Sequence, residues 1–135
     1  MLAYVALVGV FWGGWPLVAR AAGPTGATGT LVLVLVSLAP VAALAFGSGI
    51  ALPGGAALGW LALAGLMNGA GLVVFHLLAT DRSIEVSAVV PAVDTAMLLV
   101  TAAGGIALFG EALTLQKGLG IASLLLGIAL LRPGA

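Results

Sequence analysis

The chain alternates long apolar runs with short glycine-rich or polar breaks. Five runs stand out, at residues 2–19, 30–46, 56–79, 86–109 and 115–131. Apolar residues fill every side of each run. That is the pattern of a helix in lipid; a membrane strand would alternate over about ten residues, and a surface helix would show one stripe. A helix needs about 20 apolar residues to cross ~30 Å of hydrocarbon, and the runs come close to that length. The breaks are short, so successive helices are antiparallel neighbours. The first break, residues 20–29, carries Gly23, Pro24, Gly26 and Gly29, the usual punctuation of a loop. Pro40 lies inside the short second run and predicts a kink there. The expected fold is all-α, an integral membrane bundle of about five transmembrane helices forming one domain over residues 1–135.

Composition turns this pattern into a solvent assignment. The chain of 135 residues is 63% hydrophobic and 6% charged, against about a quarter charged in a soluble domain. The lipid bilayer is therefore its solvent. Net charge is zero and there is no basic stretch, which removes the electrostatic footing for nucleic acid. There is no cysteine and one histidine, so disulfides, thiolate nucleophiles, thiolate metal sites and histidine metal clusters are excluded. No Walker-type phosphate loop occurs, and no cofactor is expected. Ala19-Arg20-Ala21 resembles a signal-peptide cleavage site, but no positive charge precedes the first run, and the run is longer than a signal core. It is read as a retained helix.

Five crossings put the termini on opposite sides. Arg20, Arg82 and Arg132 then share one side, and Lys117 shares the other with the N-terminus. The excess of basic residues favours the arginines inside and the N-terminus out. It is small enough to permit insertion both ways. A bacterial or archaeal inner membrane is the expected location.

Asp94 is the residue that composition does not account for. It stands about nine residues beyond Glu85 in an apolar run, or roughly 13 Å into the membrane. A carboxylate at that depth costs roughly 2.5–3.5 kcal/mol even on the mildest scale, and such residues mark ion, proton or substrate paths. Low dielectric favours the neutral carboxyl, which is the chemistry of a proton carrier. Ser87, Pro91, Leu98, Thr101 and Gly105 share its helical face at spacings of three or four, and this face should turn to the bundle interior. The bland alternative is a structural hydrogen bond to Asn68, His76 or Thr95.

Other candidates carry two readings each. His76, four residues from the polar turn, either relays protons or reaches the membrane boundary. Asn68 either lines a substrate path or binds another helix. Trp12 and Trp15 either stack on a flat or cationic substrate or fill space. Trp60 reads as an interfacial anchor, and Glu111 as a partner for the positive end of the fifth helix. Glycine makes up 21 residues, and small residues are where helices approach in lipid. Gly120, Ser123 and Gly127 form one such face, as do Gly65, Asn68 and Gly71. Packing within the chain and contact between copies are both open for the fifth-helix face.

Three passages carry a family resemblance. They are Trp12-Gly-Gly-Trp-Pro16 leading to Arg20, the turn followed by Val89-Val-Pro-Ala-Val93, and Phe109-Gly-Glu-Ala-Leu-Thr-Leu-Gln-Lys-Gly118 with Gly120 and Gly127 beyond it. Together they resemble the EamA-type domain of the drug/metabolite transporter superfamily, across essentially the whole chain. The resemblance implies a five-helix half-transporter, the repeat that is doubled in inverted orientation in ten-helix members. Inverted repeats around a midplane site are a general transporter plan. One repeat cannot enclose and gate a path, so it implies a homodimer, antiparallel if both orientations insert, or a paired half-transporter. The related small multidrug resistance proteins carry an essential glutamate in the first helix. Trp12 falls about there in this chain, so that coupling mechanism does not carry over, and the role of Asp94 rests on the membrane argument alone.

These readings converge on a secondary transporter, in the direction of export, of small metabolites or drug-like molecules, with Asp94, Asn68, His76, Thr101, Trp12 and Trp15 along its path. The rival is a non-transporting membrane subunit or assembly partner in a heteromeric complex. An enzyme is not expected: Asp94 and His76 alone, with no nucleophile motif or metal cluster, make a poor catalytic set.

Overall fold

The structure is a computed structural model that describes residues 1–131; Arg132 lies outside them. Five helices follow one another, α1 (Leu2–Ala22), α2 (Gly26–Gly47), α3 (Gly55–Thr80), α4 (Val86–Phe109) and α5 (Leu115–Leu130). There is no strand among the described residues. The first four helices are long and apolar enough to cross a membrane, while α5 has 16 residues. At ~1.5 Å per residue α5 is roughly 24 Å long.

The boundaries of α3, α4 and α5 match the apolar runs within a residue. The first break does not. α1 continues through Ala22 and α2 starts at Gly26, so the ten-residue loop shrinks to Gly23-Pro24-Thr25. Glycine and proline are compatible with this because Gly23 and Gly26 adopt φ of 81° and 64°, a region open to glycine and strained for other residues. Two left-handed glycines flanking one proline reverse the chain in very little space. Pro16 and Pro40 lie inside α1 and α2, a tolerated arrangement in membrane helices.

The chain packs as two compact units, Met1–Arg82 and a second starting at Ser83. In the first, α1 and α2 both pack on α3. Burial concentrates at one end, where α1 and α3 finish and α2 begins. Pro16, Gly23, Thr30, His76, Ala79 and Thr80 are buried there. In the second unit α4 packs on α5. α4 ends where Gly110 turns left-handed at φ 67°, and the Gly110 and Glu111 amides both donate to the Gly105 carbonyl. α5 opens on Thr114, whose hydroxyl accepts from the Lys117 amide at 3.2 Å. Glu111 is thus not in the first turn of α5. It reaches Lys117 Nζ across the turn at 3.2 Å.

The distribution of apolar surface inverts that of a soluble protein. Ala79 is the only buried hydrophobic residue among those described, while long leucines, valines and aromatics on all five helices are exposed. A water-soluble monomer seldom exposes contiguous apolar patches beyond a few hundred Å². Here the apolar side chains face outward along the full length of the helices, and the interior contacts fall to threonine, histidine, glycine and proline. This is an integral membrane protein.

Candidate functional site

The sequence candidates divide between the two units. In the first, two of them belong to one cluster at the buried end. His76 is 3% exposed, and its Nε2 lies 3.0 Å from Thr25 Oγ1. Either group donates, depending on the imidazole tautomer. The contact is possible because Gly29 follows Thr25 by one helical turn and has no side chain. A Cβ on Gly29 would overlap the Thr25 hydroxyl and stand 3.0 Å from His76 Nε2. Trp15, half-buried, meets Phe75 edge to face with ring centroids 5.1 Å apart. So α1 touches α3 beside His76, and α2 touches it at His76. The imidazole is therefore an internal packing group.

Arg20 completes this end. From the last turn of α1 its Nη1 donates to the carbonyls of Ala79 and Asp81 at 3.2 and 3.0 Å. Both oxygens belong to the C-terminus of α3, where carbonyls lack helical donors and the dipole is negative. The Thr80 hydroxyl meets the His76 carbonyl at 2.8 Å. Arg20 is more than a boundary charge: it clasps α1 to α3. Arg20→Ala is expected to lower stability by about 2 kcal/mol, since hydrogen bonds to a charged donor contribute ~1.5–3 kcal/mol and this one is half-exposed. Arg20→Lys should recover part of the loss. Thermal unfolding in detergent, followed by circular dichroism, measures both.

Two polar atoms of this end have no partner among the described residues, His76 Nδ1 and Thr30 Oγ1. An unpaired buried polar atom costs about 1–3 kcal/mol. Asn68 and Trp12 are placed differently from His76. Both are exposed on their helices, and Asn68 makes no hydrogen bond among the described residues.

In the second unit, Asp94 is exposed and has no hydrogen bond or ion pair among the described residues. It makes no bond to Thr95 of the same unit, and the face expected to turn to the bundle interior is exposed at Asp94, Leu98 and Thr101. Its helical face leads somewhere specific, however. Leu98, Thr101 and Gly105, spaced along that face, line an open groove between α4 and α5. Ile121 and Leu124 of α5 form the other wall, and Glu111 and Lys117 stand at the end. The groove holds about 580 Å³, within the ~300–1,000 Å³ range of small-molecule pockets.

The small-residue face of α5 meets the groove only at Gly120. Gly120, Ser123 and Gly127 are exposed, and a Cβ on either glycine would meet nothing within 4 Å. The Ser123 hydroxyl donates to the Leu119 carbonyl at 2.9 Å, a bond within its own helix. Gly65 and Gly71 of α3 are equally open. Neither glycine face is used for packing among the described residues.

Sequence reasoning missed Thr25, Thr30, Thr80 and the reach of Arg20. Threonine beside glycine and proline reads as loop punctuation. The one available signal was the periodicity of Thr25, Gly29 and Thr30 as the start of a helix. The chain matches no protein-family model, no curated protein and no solved structure. The fold and the site geometry therefore stand as the basis for function.

Proposed function

We propose that this protein is half of a secondary transporter, an exporter of small metabolites or drug-like molecules, working as a pair of copies with Asp94 as the proton- or substrate-binding carboxylate. The observation that carries this reading is Asp94 itself. It is exposed and unpaired on α4, on the face that leads into the groove at Leu98, Thr101 and Gly105. Hydrocarbon does not solvate a carboxyl group, so a polar surface or a water-filled path has to meet it. A second copy supplies both at once. The open glycine faces of α3 and α5 offer close approach for it. The resemblance to EamA-type half-transporters supports the same paired arrangement.

The same exposed Asp94 and Asn68 would serve a non-transporting subunit whose partner is a different membrane protein. One experiment separates the readings. Purified protein is reconstituted in vesicles, and substrate-dependent proton flux is measured over a substrate panel at two pH values, for wild type and Asp94→Asn. Flux in wild type that falls at least tenfold in the variant is the expected result. Equal flux in both would remove Asp94 from the mechanism. A folded wild type that carries no flux and co-purifies with another membrane protein would favour the subunit.

A further inference from the structure

The groove between α4 and α5 has a direction. Its polar end is formed by Glu111 and Lys117, at the turn between the helices. Its apolar end is formed by Leu98 and Leu124. From Phe109 back to Leu98 is roughly 16 Å along α4, at ~1.5 Å per residue. Half of a ~30 Å hydrocarbon layer is about 15 Å. The groove is therefore about as long as one leaflet is deep, charged at one end and apolar at the other, with a single hydroxyl, Thr101, along its wall.

The polar end is built by contacts on both helices. Gly105 is buried beneath the Glu111 side chain: a Cβ there would stand 3.0 Å from Glu111 Cδ and 3.1 Å from Oε2. The missing side chain lets the carboxylate fold back onto α4. Lys117 meets Oε2 at 3.2 Å, and both side chains remain about half exposed. Lys117 has three donors and Glu111 about four acceptor positions, so each retains capacity after pairing. One cation and one anion thus stand side by side above an apolar channel.

The geometry points to a binding site for a phospholipid whose headgroup carries both a phosphate and a primary ammonium, with one acyl chain lying in the α4–α5 groove. Lys117 takes the phosphate, Glu111 accepts from the ammonium, and Leu98, Ile121 and Leu124 hold the chain. The polarity profile of the groove is that of such a lipid in a leaflet. A trimethylated ammonium has no N–H for Glu111, and a glycerol headgroup has no cation, so the site discriminates among heads. The inference needs the membrane setting and not the transport reading.

Native mass spectrometry of the intact chain in detergent tests it. Phosphatidylethanolamine, phosphatidylcholine and phosphatidylglycerol of equal chain length are titrated in turn. Wild type is expected to retain the ethanolamine lipid roughly threefold to fivefold better than the others, the ratio one half-exposed ion pair supplies. Glu111→Gln should bring it down to the choline level. Ile121→Trp, which fills the groove, should lower retention of all three. Equal retention of the three heads by wild type would overturn the proposal, with no variant needed. So would an ethanolamine preference that survives both substitutions, or lipid that leaves whenever a second copy binds. None of these readouts involves flux, so this proposal and the transporter reading fail separately.

Discussion

Placing alanine at Gly29 is expected to loosen α2 from α3 and to lower the stability of the first unit by roughly 3 kcal/mol. The added methyl would overlap the Thr25 hydroxyl and press within 3.0 Å of His76 Nε2. Overpacking of this kind costs about 1–3 kcal/mol. Thr25 can relieve it only by turning its hydroxyl away, which removes the hydrogen bond to His76 and contributes ~1 kcal/mol more. The imidazole would then be buried with neither nitrogen paired, since Nδ1 has no partner already. Thermal unfolding in detergent measures the loss. The double substitution Gly29→Ala with Thr25→Ala should be less destabilised than the sum of the two singles, because the overlapping hydroxyl is gone. A Gly29→Ala protein as stable as wild type would mean that this helix contact is looser than its geometry.

Asp94→Leu is expected to stabilise the isolated chain in lipid while eliminating its proposed activity. The carboxyl is exposed in one copy and has no partner. Removing it saves up to roughly 2.5–3.5 kcal/mol at membrane depth. Opposite signs are then expected from two measurements on the same vesicles. Resistance to unfolding of the single copy should rise. Association between copies, read by single-molecule subunit counting at several dilutions, should weaken, and flux should vanish. A leucine variant that associates and transports like wild type would contradict the role given to Asp94. A rise in stability with unchanged association would assign the carboxyl to the path alone.

How much of this was legible in the sequence follows from which forces act locally. The third to fifth helices were readable to within a residue, because in lipid the length of an apolar run is itself the structural signal. The start of α2 was not. Gly26 and Gly29 look like loop residues by the statistics of soluble proteins. In this protein one supplies a left-handed turn and the other a close approach to His76. The alignment of Asp94 with Leu98, Thr101 and Gly105 on one face of α4 was readable from periodicity. What that face meets was not, because periodicity gives angular position and not burial. Arg20 and Glu111 show the same limit. Their charges lie near helix ends, but Arg20 clasps the end of α3, 59 residues away, and Glu111 folds onto Gly105 and not onto the start of α5. Neither follows from its neighbours in the chain.

The shortness of α5 has a consequence for the bilayer. At roughly 24 Å it falls about 6 Å short of the hydrocarbon thickness, while the four longer helices do not. Lipids beside a helix of insufficient length compress to meet it. A bilayer that met both ends of α5 would be drawn thin along its flank, and the two water phases would approach each other more closely there than beside the longer helices. For a polar solute, the dehydrated stretch would then be narrowest along the helix that walls the groove.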